Sequence, residues 1–177
     1  AGVDELKRLY DAALAEPDVI GLSIGTRPDC VPAPVLDLLA DYQDRGHEIW
    51  LELGLQSAFD ATLVRVNRGH SFDDYRRAVR AEQARRLRVC THLIMGLPGE
   101  AAVHARVSHG RVLELGVDGL KFHPLHVVKG TALANAQVDT LRRLASRYGM
   151  RSGGFARRFI AGETAEEAIV AVAELPA

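Results

Sequence analysis

The amino-acid sequence predicts an α/β fold in which parallel strands alternate with helices. Four apolar runs predict the strands, at residues 19–25, 48–53, 88–95 and 117–122. The segments between them place apolar residues at helical spacing. Successive parallel strands require a crossover connection, and a helix supplies it in a right-handed βα unit. We therefore expect one parallel sheet with helices packed on it.

The helices are predicted in the segments that precede or separate the strands. An amphipathic segment near residues 4–16 comes before the first strand and is ended by Pro17, because proline cannot continue a helix. Further helices are predicted near residues 33–45, 72–87 and 101–115. Each of these three lies between two predicted strands, as a series of βα units requires.

Periodicity leaves two completions of this sheet open, a doubly wound sheet and a barrel. A complete eightfold barrel needs about 250 residues, whereas this chain has 177. If the fold is a barrel, we expect a partial one. No G-x-G-x-x-G turn follows any predicted strand. The sequence therefore gives little support to a dinucleotide-binding function.

Composition narrows the classes of function. The chain is 47% hydrophobic and 25% charged, which is typical of a globular domain, and its formal net charge is -1. That balance gives no indication of a polyanionic partner. Two cysteines, Cys30 and Cys90, are too few for a disulfide framework and do not form a metal-type pair. No apolar run is long enough to cross a membrane, and the first residues do not resemble a signal peptide. We expect a cytoplasmic protein without a membrane partner.

The segment 91–100 joins an apolar strand to a glycine-proline-glycine turn. Gly96 and Gly99 have no Cβ to hold a ligand away from the backbone, and Pro98 stiffens the turn between them. We expect the next helix to begin at Glu100, with its first amide groups free to meet a polar ligand. The alternative is an ordinary βα turn.

Two polar side chains follow the second predicted strand. Gln56 can donate to and accept from hydroxyl groups, and Arg68 offers a planar fork that suits a carboxylate or a phosphate. Together they indicate a polar small ligand at this end of the sheet. Two alternatives remain open: Arg68 forms a surface ion pair with Asp73 or Asp74, and the Gln56 amide is satisfied within its own loop.

Five basic or imidazole side chains lie on or near the last two predicted strands: His92, Lys121, His123, His126 and Lys129. The spacing of His123 and His126 invites a metal hypothesis, but Pro124 breaks helical spacing and no third ligand is close in sequence. We therefore predict no metal site there. Lys121 is a candidate for a buried cation, a Schiff base or an ion pair, and we favour the ion pair.

Five blocks of sequence carry a family resemblance, at residues 20–30, 52–57, 67–70, 92–100 and 118–131. In this order they closely resemble the Elongator-catalytic-subunit-like branch of the radical S-adenosylmethionine superfamily, in particular its bacterial YhcC-like proteins. The resemblance covers residues 1 to about 134. It implies a partial, TIM-type (β/α) barrel in which the four strands are the third to the sixth. It also implies S-adenosylmethionine and a [4Fe-4S] cluster at the carboxyl ends of the strands.

The resemblance assigns a cofactor role to several residues. Gln56 matches a glutamine near the ribose of S-adenosylmethionine, and Arg68 matches an arginine that pairs with its methionine carboxylate. His92 occupies a ribose-contacting position, and Ile94 falls where the family packs an apolar residue on the adenine. The turn on the adenine side corresponds to Gly96, Leu97, Pro98 and Gly99. The resemblance gives no catalytic residue for this chain.

The family's cluster is held by three cysteines spaced Cys-x-x-x-Cys-x-x-Cys, and this chain begins after the region where they would stand. A cluster needs several converging thiolates, so we expect the chain as given to be inactive. The parent activity would be reductive cleavage of S-adenosylmethionine. Relatives are associated with modification of the tRNA wobble base, which makes tRNA a candidate partner of the parent enzyme.

A different resemblance begins near Val138. Residues 144–168 resemble the amino-terminal segment of bacterial proline dehydrogenases, without a flavin-binding or catalytic motif. We therefore divide the chain into a partial barrel at 1–134 and a helical tail at 135–177. Two alternatives to the enzyme core stay open, a non-catalytic α/β fragment or chimera and a fragment of a flavin-dependent proline dehydrogenase. We also expect the exposed edge of the strand at 19–24 to cause self-association, unless residues 150–177 cover it.

Overall fold

A computed structural model of the chain describes residues 2–128 and 130–134. The chain divides into two compact units, Ala1–Leu125 and His126–Ala177, and the first contains the sheet. Its strands are β1 (Gly21–Thr26), β2 (Glu48–Gln56), β3 (Arg88–Met95) and β4 (Gly119–Pro124). Its helices are α1 (Val3–Leu14), α2 (Ala33–Asp44), α3 (Asp60–Arg65), α4 (Phe72–Gln83) and α5 (Ala102–Leu113). The predicted tail at 135–177 and Lys129 lie outside the described residues.

The four strands form one parallel sheet in the order β1-β2-β3-β4. A doubly wound sheet reverses its strand order at a switch point, whereas a barrel wall adds each new strand beside the last. The sequential order is therefore that of a barrel wall. The structure confirms the predicted α/β class and its parallel βα units.

The strand positions agree with the sequence patterns to within a few residues. β3 coincides with the predicted run, and β4 begins two residues later than predicted. β2 continues to Gln56 instead of ending at residue 53, because it keeps pairing with β3 through a register shift between Gly54 and Gln56. The prediction that a helix begins at Glu100 is wrong, since α5 begins at Ala102 and Glu100 belongs to the preceding turn.

Alternation along β2 separates two faces of the sheet. Its odd-numbered apolar residues are almost completely buried: Ile49, Leu51, Leu53 and Leu55. They belong to two apolar clusters, one with Leu36, Leu39 and Tyr42 of α2 and the other with Tyr75 and Val79 of α4. The even-numbered residues of β2 point to the opposite face and are only partly buried. One face therefore packs under helices, and the other is open within the first unit.

No helix in the part of the chain that the structure describes is long and apolar enough to cross a membrane. Among the described residues, β1 and β4 are the two edge strands of the sheet. Self-association through the β1 edge stays a prediction.

Among the described residues, the helix side of the sheet contains a buried carboxyl group without a hydrogen-bond partner. Glu82 of α4 is 0% exposed, and neither of its carboxyl oxygens has a hydrogen-bond partner among the described residues. Burial raises its pKa from 4.5 to about 8, because a buried charge loses its hydration. The folded protein therefore holds Glu82 as the neutral acid at neutral pH.

We predict that Glu82 makes the protein less stable as the pH rises from about 4.5 to about 8. The folded state keeps the proton that the unfolded state releases, so this contribution to stability is fully present below 4.5 and is lost as the pH passes through 8. Glu82→Gln should flatten the dependence by up to about 1.4 kcal/mol per pH unit. Urea unfolding at pH 5, 6, 7 and 8 measures the slope.

The control for this measurement is Glu5→Gln on α1, because Glu5 is exposed. Its free energy of unfolding should follow the same pH dependence as that of the unmodified protein. Parallel curves for the unmodified protein and Glu82→Gln would show that the buried carboxyl is not protonated in the folded state.

Candidate functional site

The open face of the sheet carries polar side chains from all four strands. They are Ser23 on β1, Glu52 on β2, His92 on β3, and Lys121 and His123 on β4. The strand register places them near one another. His92 pairs directly with Lys121, and it pairs on its other side with Gly54, two residues after Glu52. Glu52 in turn pairs with Gly25, two residues after Ser23. This polar set is connected by hydrogen bonds.

Glu52 is the centre of that set. The Ser23 hydroxyl and the Lys121 ammonium group both donate to its Oε1, at 2.6 and 2.5 Å, and His92 Nε2 lies 2.7 Å from its Oε2. These contacts lower the pKa of Glu52 from 4.5 to about 2, and Lys121 has the largest effect. The same pair raises the pKa of Lys121. The structure confirms the interpretation of Lys121 as an ion-paired lysine.

His92 connects Glu52 to His123. Its Nδ1 lies 3.0 Å from Nε2 of His123, with the ring centroids 4.9 Å apart and the planes 27° apart. Both ring nitrogens of His92 thus have protein partners. The contact of His92 with a ribose, which the resemblance implied, stays a prediction. The described residues contain no group of three or more histidine, cysteine or acidic side chains arranged to hold a metal ion.

Gln56 and Arg68 meet at the end of β2, next to Gly54. A Cβ on Gly54 would lie 2.7 Å from Nε2 of Gln56 and 3.2 Å from Nη2 of Arg68. Glycine is therefore what allows the two side chains to approach the same point. Gln56 itself has φ +75°, at the register shift of β2. A non-glycine residue with positive φ carries a backbone cost, and such costs are concentrated at functional sites.

Arg68 has no carboxylate partner within the described residues. Its Nη2 donates to the Gly54 carbonyl oxygen at 2.7 Å, and its Nε to His70 at 3.3 Å. The predicted alternative of an ion pair with Asp73 or Asp74 is wrong, because those two carboxylates bind Arg76 and Arg77 instead. Burial lowers the pKa of Arg68, and the neighbouring guanidinium of Arg27 lowers it further.

The Gln56 amide makes no side-chain hydrogen bond within the described residues, contrary to the alternative of a loop-satisfied amide. A half-buried guanidinium and a free amide therefore lie together at the end of β2. Arg27 is close by, since its Nη2 would be 2.9 Å from a Cβ on Gly69. Arg27 is itself paired with Asp29. The remaining capacity for a carboxylate thus belongs mainly to Arg68.

The turn after β3 is fixed by contacts to neighbouring residues. Gly96 and Gly99 have φ +87° and +80°, which favours glycine at both positions. Arg65 Nη1 donates to the Pro98 carbonyl oxygen at 2.7 Å, and its guanidinium occupies the space that a Cβ on Gly99 would need. The Ser57 hydroxyl donates to Glu100 at 2.5 Å. Arg65, rather than open space for a ligand, therefore faces Gly99.

Two further predicted residues lie beside this turn. Leu97 is buried, at 3% exposure, and supports the turn from within. Ile94 is partly exposed on the open face and pairs in register with His123. Ile94 is therefore an accessible apolar surface at the end of β3. Its packing against an adenine stays a prediction.

Sequence reasoning missed the role of Glu52 and Ser23. A signal for Glu52 was present, because it lies four residues before Gln56 on a strand and side chains of a strand repeat every two residues. The contacts of Arg65 with the turn had no comparable signal. They depend on how α3 follows β2, which no local pattern specifies.

Comparison with known proteins identifies the family. Residues 2–105 match the family model described as the Radical SAM superfamily, which is more than half of the chain. The chain belongs to the radical SAM superfamily. Its curated relatives place it in the Elongator- and YhcC-like branch of that superfamily.

Two curated relatives illustrate the branch. Protein YhcC of Escherichia coli K12 is 53% identical over 136 residues, which are 77% of this chain and 44% of YhcC. The tRNA uridine(34) acetyltransferase of Dehalococcoides mccartyi is 31% identical over 134 residues, covering 74% of this chain and 28% of that enzyme. The chain thus spans less than half the length of either relative.

A solved structure supports the fold assignment. The archaeal Elp3 of Methanocaldococcus infernus superposes with a TM-score of 0.61 at 23% identity, covering 99% of this chain and 42% of that one. At this identity the likeness concerns the fold. It agrees with the partial TIM-type barrel that the strand order indicates.

We predict that Glu52→Gln destabilises the protein by about 1–2 kcal/mol at pH 7, because three donors lose a charged acceptor. A carboxyl group whose pKa is lowered on folding contributes stability above its unfolded value of 4.5, and this is lost as the pH falls toward 2. The free energy of unfolding of the variant should therefore fall less than that of the unmodified protein as the pH is lowered. Urea unfolding at pH 7 and across pH 5 to 2 measures both effects.

Glu48→Gln is the matched control, since Glu48 begins the same strand and has one exposed partner, Arg88. An exposed pair contributes at most about 1 kcal/mol, and the control should keep most of the pH dependence. Equal effects of the two substitutions would contradict a central role for Glu52.

Proposed function

We propose that this chain supplies the S-adenosylmethionine-binding strand ends of a radical SAM enzyme of the Elongator- and YhcC-like branch. One observation carries the proposal: the half-buried Arg68 guanidinium has no carboxylate partner among the described residues and lies beside the free amide of Gln56. The parent activity we propose is reductive cleavage of S-adenosylmethionine. A tRNA is the candidate substrate, by analogy with the D. mccartyi relative.

Gln56 and Arg68 at the end of β2 form what we call the cofactor rim, and their hydrogen-bonding groups fit S-adenosylmethionine. A guanidinium has five N–H groups, and within the described residues only two of its nitrogens donate, to Gly54 and His70. Arg68 therefore keeps N–H groups for the methionine carboxylate, and the bond to Gly54 holds the fork in place. Gln56 would serve the ribose hydroxyls, because an amide both donates and accepts. Partial burial strengthens both interactions by limiting competition from water.

The apolar part of the cofactor would lie beside β3. Ile94 presents an apolar side chain there, and Gly96, Leu97, Pro98 and Gly99 form the rigid turn next to it. Arg65 and Ser57 hold that turn, so its backbone groups are fixed before any ligand arrives. Such preorganisation reduces the entropy that binding costs. Both ring nitrogens of His92 already have protein partners, so we propose that His92 contacts the ribose by packing its ring against it from the open face.

The number of cysteines decides whether the chain can hold an iron-sulfur cluster. In this superfamily a [4Fe-4S] cluster supplies the electron for cleavage of S-adenosylmethionine. The chain has two cysteines; Cys30 is exposed and Cys90 is buried within β3. Two thiols do not satisfy a cluster of this type. We therefore propose that any cluster serving this site takes its thiolates from outside these 177 residues, and that the chain alone is a binding unit without activity.

We predict that Arg68→Ala weakens binding of S-adenosylmethionine by about 1.5–3 kcal/mol, the range for a hydrogen bond to a charged group. Isothermal titration calorimetry on the chain measures the difference. Arg76→Ala is the control, because Arg76 is a surface residue of α4 paired with Asp73. Unchanged affinity in Arg68→Ala would refute its role, and no binding by the unmodified chain would refute the site.

We also predict that anaerobic reconstitution of the chain with iron and sulfide gives no stoichiometric cluster and no 5′-deoxyadenosine, since the chain has two cysteines. Absorbance after desalting and chromatography of the products provide the readouts. A cluster that survives desalting, and disappears when Cys30 and Cys90 are replaced by serine, would contradict this prediction.

A further inference from the structure

The hydrogen bonds between Glu52, His92 and His123 have a defined direction. Lys121 and Ser23 keep the Glu52 carboxyl group ionised, so its Oε2 can only accept. The 2.7 Å contact therefore requires a proton on Nε2 of His92. In a neutral imidazole the other nitrogen then accepts, so Nδ1 of His92 takes the hydrogen bond at 3.0 Å from Nε2–H of His123. This leaves Nδ1 of His123 as a lone-pair acceptor.

The free nitrogen lies on the accessible side of the sheet. His123 is exposed on β4, and its Nδ1 has no hydrogen-bond partner in residues 2–128 and 130–134. It stands opposite Ile94, two residue pairs beyond the row formed by Gly54, His92 and Lys121. His123 therefore belongs to the carboxyl end of the sheet, two strands from Gln56 and Arg68. A substrate group bound over β4 on the open face would face it.

We propose that His123 is a catalytic proton acceptor for an O–H or N–H group of the substrate. The proton leaves the substrate oxygen or nitrogen, which keeps the electron pair, and binds Nδ1 of His123 to give an imidazolium. The proton shared with His92 can then move to Nδ1 of His92, which places the positive charge next to the Glu52 carboxylate. No other reactant is needed. The logic is that of a carboxylate-backed histidine base.

We call Glu52, His92 and His123 the histidine relay. In this relay Glu52 and His92 are positioning residues. Glu52 fixes the tautomer of His92, and His92 fixes that of His123, as outer partners do for other functional histidines. Lys121 keeps the carboxylate charged without itself pointing to the substrate. The inference rests on the proposed function in one respect, that the open face is the side on which a substrate lies.

Nuclear magnetic resonance of the ring nitrogens tests the direction of the relay in the chain itself. Long-range ¹H–¹⁵N correlation at pH 8 should show His92 and His123 as neutral rings with the proton on Nε2, assigned by comparison with His92→Gln and His123→Gln. A neutral His123 that carries its proton on Nδ1 would overturn the proposal, because that nitrogen could not accept.

Acylation by diethyl pyrocarbonate tests the accepting nitrogen. Positive charge develops on the ring during acylation, so His92→Gln should slow modification of His123 by about fivefold, the equivalent of about 1 kcal/mol for a partly exposed charged pair. His47 is the internal control, because it precedes β2 and contacts the Tyr42 ring instead of the relay. Peptide mass spectrometry measures both rates in one sample.

An unchanged rate at His123 in His92→Gln, or an equal fall at His47, would overturn the relay. Glu52→Gln should give a similar fall, and His92→Gln keeps the measurement decisive if that variant does not fold. Calorimetry with S-adenosylmethionine separates the two proposals. Failure of the unmodified chain to bind would refute the proposed function and leave the tautomer and acylation results to decide the relay.

Discussion

The Glu52 carboxylate is the interaction on which the open face of this sheet depends. It accepts hydrogen bonds from β1, β3 and β4, so one side chain connects every strand of the described sheet. The helix side has leucine and tyrosine packing to fix the strand register. The open side has this charged set, and a one-residue slip of a neighbouring strand would turn its polar side chain to the helix side and break the bond to Glu52. That register also brings Gly54, His92 and Lys121 into one row, from which the arrangement of the candidate site follows.

Two glutamates show how strongly the two faces differ. Glu52, with three donors, has its pKa lowered to about 2, whereas Glu82, buried with no hydrogen-bond partner among the described residues, has its pKa raised to about 8. The residue type is the same, and the difference comes from hydrogen bonding on one face and desolvation on the other. A fixed negative charge on the open face can hold histidine tautomers. A neutral acid on the helix face adds no charge to the core.

Local patterns in the sequence were enough to predict the sheet and part of its rim. Apolar runs located the strands, and their position after the second predicted strand assigned Gln56 and Arg68 to the same rim. The family followed from five ordered blocks that contain the same residues. The register shift beyond Gly54, the contact of Arg65 with the turn and the link between His92 and His123 could not be predicted. Each depends on distances between side chains far apart in sequence, and neither periodicity nor turn chemistry measures such distances.

Gly54 is the point where the cofactor rim and the histidine relay meet. Its carbonyl oxygen holds Arg68, its missing Cβ leaves room for the Gln56 amide, and its register partner on β3 is His92. A side chain at this position would displace Gln56 first, because the contact to Nε2 would be the shorter of the two. Movement of Arg68 would in addition leave the Gly54 carbonyl oxygen without this donor. Gly54 lies two residues after Glu52 on β2, so the same strand carries the arginine contact of the cofactor rim and the carboxylate of the relay. The two parts of the site therefore share one strand, although different side chains perform their chemistry.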